Sequence, residues 1–178
     1  VTGNHFNSSI TYKDDKVHSI GRSCDTNCLN RYDGSSDIAH TLNDQNKCTT
    51  CGVQFYDLYV GGIHVNERNA ADVLGDGKVS YDAATNQLSL NGAVVSSADA
   101  PWFDGGAPRR QGIAWLGSKA LTVELTGENK ITHSSSTDCG IASGAALTFT
   151  GTGGLDFDGT MTCGIAAYYT VTVNGPSI

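Results

Sequence analysis

The chain is poor in charge, in proline and in aromatic residues. Of its 178 residues only 16% are Asp, Glu, Lys or Arg and 8% are aromatic, while Pro and Met number 3 and 1. So few charges leave little material for the amphipathic runs that surface helices need, and no such run is visible. Basic residues are scarcest: 11 Lys and Arg face 18 Asp and Glu, the net charge is −7, and Arg109-Arg110 is the one cationic pair. Nucleic-acid binding needs a basic face to displace counterions, so that class of partner is excluded. No apolar run approaches the roughly 20 residues of a membrane helix, so no membrane span is expected. No leader is visible either, and Val1 in place of Met points to a trimmed chain. Gly-x-Ser-x-Gly, His-Glu-x-x-His and a phosphate loop are all missing, so no catalytic residue is assigned. Paired carboxylates of a glycoside hydrolase, or a polysaccharide lyase with a groove, keep an enzymatic reading open.

What the chain has in quantity is glycine, 22 residues of it, and a repeat. Gly112-Ile113-Ala114, Gly140-Ile141-Ala142 and Gly164-Ile165-Ala166 each open a unit. Each is followed by alternation of apolar residues with Thr: Leu121 to Gly127, Leu147 to Gly151 and Val171 to Gly175. Period-2 alternation predicts half-buried strands, and a recurring strand-and-turn unit predicts a solenoid whose units bury their apolar edges on one another. The fold class expected is therefore all-β: a short parallel β-solenoid (β-helix) over 53–178, after a small cysteine-rich module over 1–52. Within 53–95, strands are predicted at Phe55–Val60, Ile63–Val65, Lys78–Tyr81 and Gln87–Leu90.

Six cysteines divide into two kinds. Cys24-x3-Cys28 and Cys48-x2-Cys51-Gly52 bracket a hydrophilic loop. Two such pairs hold one tetrahedral zinc, with His18 or His40 able to replace a sulfur, or they form disulfides in an exported module. In either reading they are a staple, since a closed ligand set leaves no position for a substrate. Cys139 and Cys163 instead occupy equivalent places before two Gly-Ile-Ala units, where Gln111 stands in the first. Stacked strands lie about 4.8 Å apart. That spacing admits an inter-unit disulfide, although parallel Cβ vectors suit it poorly, and a ladder of two buried thiols is the alternative.

The longest interruption between strands, Ser96 to Gln111, carries the candidate ligand-binding residues. Trp102 and Phe103 can stack on a sugar ring, and Asp104, Arg109 and Arg110 can bond hydroxyls or carboxylates. Alternatively the two aromatics fold back over the core. Trp115, Tyr168 and Tyr169 admit the same pair of readings. Asp72, Asp76 and Asp82, and separately Asp156 and Asp158, are carboxylate groups that calcium would accept, though Asp in turns commonly bonds its own backbone.

Tyr56-Asp57-Leu58-x-Val60-x-Gly62, Val73-Leu74-Gly75-Asp76-Gly77-x-Val79-Ser80-Tyr81-Asp82 and Thr85-Asn86-x-Leu88-x-Leu90 resemble surface proteins of anaerobic Gram-positive bacteria. Those proteins carry Cys-x-x-Cys-Gly modules upstream and solenoid units downstream, and are similar to a carbohydrate-binding β-helix family. The resemblance covers about 48–175 and implies an extracellular or cell-surface protein that binds acidic polysaccharide, with calcium, and without catalysis. It carries over no ligand residue. The competing expectation is a structural surface or fibre subunit. The chain stops at Pro176-Ser177-Ile178 without a polar cap, and bare strand edges template homo-oligomers or fibres.

Overall fold

The computed structural model describes residues 6–24, 34–102, 107–133 and 139–178, and all regular structure among them is β. The chain divides into two compact units, Val1–Phe55 and Tyr56–Ile178.

The first unit is an antiparallel meander of β1 (Phe6–Tyr12), β2 (Val17–Cys24) and β3 (Gly34–Ala39), followed by a looped segment to Phe55. Asp14 builds the first turn, its carboxylate accepting the N–H groups of Lys16 and Val17 at 2.8 and 2.9 Å. β3 lies inside the stretch that reads as hydrophilic loop, because Gly34-Ser35-Ser36-Asp37 shows no apolar alternation. Register places His18 opposite Ile38, so His40, two residues on, falls on the same face as His18. Among its described residues little apolar surface is buried. The cluster is Cys48, Val53 and Phe55, flanked by half-buried Tyr12, Leu42 and Cys51.

The second unit is three sheets. β4 (Phe55–Val60) leads into it and turns through Gly61-Gly62 into β5 (Ile63–Asn66). The first sheet runs β16 (Cys163–Ala167), β13 (Cys139–Ser143), β10 (Arg109–Trp115), β4, β5, with β9 (Ala98–Ala100) also on β10. The second runs β17 (Val171–Val173), β14 (Leu147–Gly151), β11 (Leu121–Thr126), β7 (Gln87–Asn91), β6 (Val79–Asp82). The third runs β15 (Gly154–Asp158), β12 (Glu128–Thr132), β8 (Val94–Ser96).

The sheets are mixed, which corrects the expectation of uniformly parallel strands. Pairing is parallel along β10–β13–β16, β7–β11–β14–β17 and β8–β12–β15. It is antiparallel where β4 and β9 meet β10 and where β6 meets β7. The reversal at β6–β7 has a local cause in the tight turn through Asn86, whose φ is 57°. The alternation of Asp156 and Asp158 on one strand agrees with β15, but its assembly with β12 and β8 into a third sheet was not expected, since Glu128–Thr132 is short and interrupted by polar residues.

Parallel register stacks like on like. Ile113 lies beside Ile141 and that beside Ile165; Leu121, Leu147 and Val171 form a second row, and Val123, Phe149 and Val173 a third. Ile113, Ile141, Leu121, Leu147, Val123 and Phe149 are fully buried. The glycine of the repeat has a packing reason: a Cβ on Gly112 would run into Ile131, and one on Gly140 into Phe157. Asn129, buried, bonds across three levels. Its Oδ1 accepts the Ala93 N–H at 2.9 Å, and its Nδ2 donates to the carbonyls of Gly127 and Gly154 at 3.2 and 3.0 Å.

Candidate functional site

His18, His40, Cys48 and Cys51 converge in the first unit, their four donor atoms all within 4.8 Å of one another. β2 and the end of β3 deliver the histidines; the Cys48–Cys51 turn delivers the sulfurs. That turn is closed by the Gly52 N–H bonding the Cys48 carbonyl at 3.0 Å and the Cys51 N–H reaching the Cys48 sulfur at 3.5 Å. Gly52 sits at φ 75°, a left-handed conformation that glycine takes at no steric cost. His40 is gripped by rings: it stacks on Tyr12 at 5.8 Å and tilts against Phe55 at 5.0 Å. Its Nε2 lies 3.0 Å from the Asp14 carbonyl, which only accepts, so the proton is on Nε2 and Nδ1 presents a lone pair.

Both thiols are free. Burial opposes the Cys48 thiolate, but hydrogen bonds from the backbone N–H groups of Cys51 and Thr50 and from the Cys51 thiol outweigh it and hold the Cys48 thiol below its ordinary value. Burial pushes Cys51 up, and the neighbouring Cys48 adds to the rise. Two imidazoles and two thiols whose donor atoms lie within 4.8 Å of one another are able to hold a metal ion such as zinc.

The expected ligands are thus brought together in part. Cys48 and Cys51 are present, and both alternates, His18 and His40, join them. Cys24 ends β2, and at about 3.3 Å per residue its backbone is roughly 20 Å along the strand from His18. Cys28 lies outside the described residues. No carboxylate cluster capable of holding calcium is present among the described residues. Asp72, Asp76 and Asp82 instead bond the turns they build, accepting the N–H groups of Gly77, Lys78 and Ala84. Asp156 and Asp158 face Lys130 at 3.8 and 3.4 Å.

Of the five candidate ligand residues in the second unit, Phe103 and Asp104 lie outside the described residues. Arg109 and Arg110 line an open pocket of about 540 Å³ with Asp99, Pro108 and Thr162. β9 positions this group by pairing Asp99 with Arg110 and Ala100 with Arg109. Arg110 Nη2 also donates to the Ser97 carbonyl at 2.7 Å. Trp102 is half-buried, and the Arg109 guanidinium lies 4.4 Å from its ring centre. One face of the indole is therefore occupied by a cation. Gln111, buried where later units have cysteine, ties the segment down by donating to the carbonyls of Ala100 and Pro101 at 3.3 and 3.2 Å. Sequence reasoning missed Asp99 and Thr162. Alignment of the units would have found Thr162, which immediately precedes Cys163.

The remaining candidates separate by burial. Trp115 is core, with its indole N–H donating to the Lys119 carbonyl at 2.8 Å, whereas Tyr168 and Tyr169 are exposed. Cys139 and Cys163 are joined in a disulfide across paired strands, with Cα atoms 5.0 Å apart. In comparisons with known proteins, no family model, no curated protein and no solved structure matches the chain.

Proposed function

We propose that this chain is a non-catalytic carbohydrate-binding domain of an extracellular bacterial surface protein, with a second unit that winds as a short β-solenoid. The solenoid reading is supported by the three rows of parallel strands in unshifted order, which antiparallel strands flank at one side. The observation that carries the binding reading is the convergence of Asp99, Arg109, Arg110 and Thr162 around one open pocket beside Trp102. Two guanidiniums, a carboxylate and a hydroxyl suit a hydroxylated ligand that bears carboxylates, because Arg meets a carboxylate in a bidentate fork. The resemblance to the carbohydrate-binding β-helix family points the same way. In this reading the metal cluster of the first unit, taken as zinc, is a staple and has no part in sugar recognition.

The test is affinity electrophoresis in gels containing polygalacturonate, with neutral glucan as control. Retardation by the acidic polymer, reduced about tenfold or more in Arg109→Ala and Arg110→Ala, is expected; a tenfold loss is what one weakened charge-assisted contact of about 1.4 kcal/mol removes. Unretarded migration in every polysaccharide overturns the reading.

A second reading, self-assembly as a surface or fibre subunit, draws on one observation. Val171 and Val173 on the edge strand β17 are 41% and 49% exposed, while their counterparts in the preceding strand are buried. Light scattering separates the two. A concentration-dependent rise in mass favours assembly, and a constant monomer mass removes it.

A further inference from the structure

Tetrahedral zinc imposes characteristic distances between its ligands. With Zn–N near 2.05 Å and Zn–S near 2.3 Å, the edges of the tetrahedron are about 3.3 Å for N to N and about 3.6 Å for N to S. His40 Nδ1 lies 3.3 Å from His18 Nδ1, 3.3 Å from Cys48 Sγ and 3.5 Å from Cys51 Sγ. Those are three edges meeting at one corner.

Hydrogen bonding alone does not account for this packing. A ring nitrogen makes one hydrogen bond in its plane, and this one has three polar neighbours at bonding distance. The Asp14 carbonyl already holds the His40 proton on Nε2, which is the arrangement that orients a metal-bound imidazole. His18 is 1% exposed, and its Nε2 has no partner among the described residues. The unit is also suited to a staple, since Cys48, Val53 and Phe55 are the buried hydrophobic residues among those of its side chains that the structure describes.

We propose that His18 and His40, each through Nδ1, together with the thiolates of Cys48 and Cys51, form a closed tetrahedral zinc site on which the fold of the first unit depends, and that Cys24 and Cys28 are not ligands. Binding takes both sulfurs as thiolates and releases the thiol protons to solvent, with no change of oxidation state. All four positions are taken by protein atoms, so the ion has no open site for a substrate. The metal would tie the histidines of the meander to the Cys48–Cys51 turn, adding to the packing of Tyr12 and Leu42 on Cys48, Val53 and Phe55.

This rests on the zinc-staple reading, and its test is kept apart from sugar binding. Zinc is measured per full-length chain, and the ion is then exchanged for Co(II) and followed by absorption. One zinc per chain is expected, with the d–d bands of tetrahedral Co(II) and thiolate charge transfer from two sulfurs. Cys48→Ser and His40→Ala should weaken zinc binding at least about 100-fold, beyond what loss of an outer hydrogen bond does. Cys24→Ser and Cys28→Ser should leave affinity and spectrum unchanged. Because His18→Ala risks unfolding the unit, His18→Cys is the sharper variant. It should keep the metal and raise the charge-transfer band by about half, as three sulfurs replace two. An unchanged band in His18→Cys, or loss of metal in Cys24→Ser and Cys28→Ser, overturns the ligand assignment while leaving a staple in place. A chain that takes up no zinc, with Cys48 and Cys51 recovered as a disulfide, overturns the staple reading as well.

Discussion

Gly112 and Gly140 are held to glycine by neighbours rather than by backbone conformation. Each faces a large side chain of the third sheet, Ile131 or Phe157, at a separation that no Cβ tolerates. Gly164, in the same place one unit later, differs: a Cβ there would meet Phe157 at 3.5 Å, an ordinary contact. Overpacking of a rigid core costs about 1–3 kcal/mol. Gly140→Ala should therefore destabilise the second unit by about that amount in urea melts, and Gly164→Ala should shift the midpoint little. Equal effects of the two substitutions would refute this account of the repeat. The repeat itself was plain in the sequence. Its reason was not, because the obstructing side chains are 17 to 19 residues away on another sheet.

The β6–β7 hairpin shows how an element can carry a pH dependence. Tyr81 is 7% exposed, packs against Tyr56 with ring centres 5.2 Å apart, and donates its hydroxyl to Asn86 Oδ1 at 2.6 Å. Burial, reinforced by the charge an ionised Tyr56 would carry and by Asp57 and Asp82, pushes its phenol up to about 12 from the ordinary 10.0. The folded state thus resists an ionisation that the unfolded chain undergoes near 10. Tyr81 contributes its full share of stability below pH 10, and that share is lost as the pH rises through about 12. Urea midpoints between pH 9 and 12 should fall more steeply for the wild type than for Tyr81→Phe; parallel curves would dismiss the effect. Alternation made the strands of this hairpin readable. The ionisation behaviour was not, since it depends on which rings and carboxylates the neighbouring strands bring alongside.

Across the whole molecule, a disulfide secures the second unit, and the proposed zinc site would secure the first by different chemistry. The Cys139–Cys163 bond closes a sequence separation of 24 residues. Loop-closure entropy gives such a bond a stabilising effect of about 3 kcal/mol. A strong reductant should accordingly lower protection of the amides of β13 and β16 in hydrogen exchange while leaving β1–β3 as they were. A chelator should do the reverse. Loss of protection in both units under either reagent alone would contradict the division of roles.

Composition and periodicity were enough to reveal an all-β chain, the repeat, the alignment of Cys139 with Cys163 and the cysteine-rich first unit, because these depend on which residues follow one another. The antiparallel strands that make two of the sheets mixed, the third sheet, and the convergence of His18 and His40 on Cys48 and Cys51 became clear only with the chain folded. Strand register decides them. A histidine on β2 and another beyond β3 become neighbours through the offset of two strands, and nothing in the 21 residues between them marks that offset.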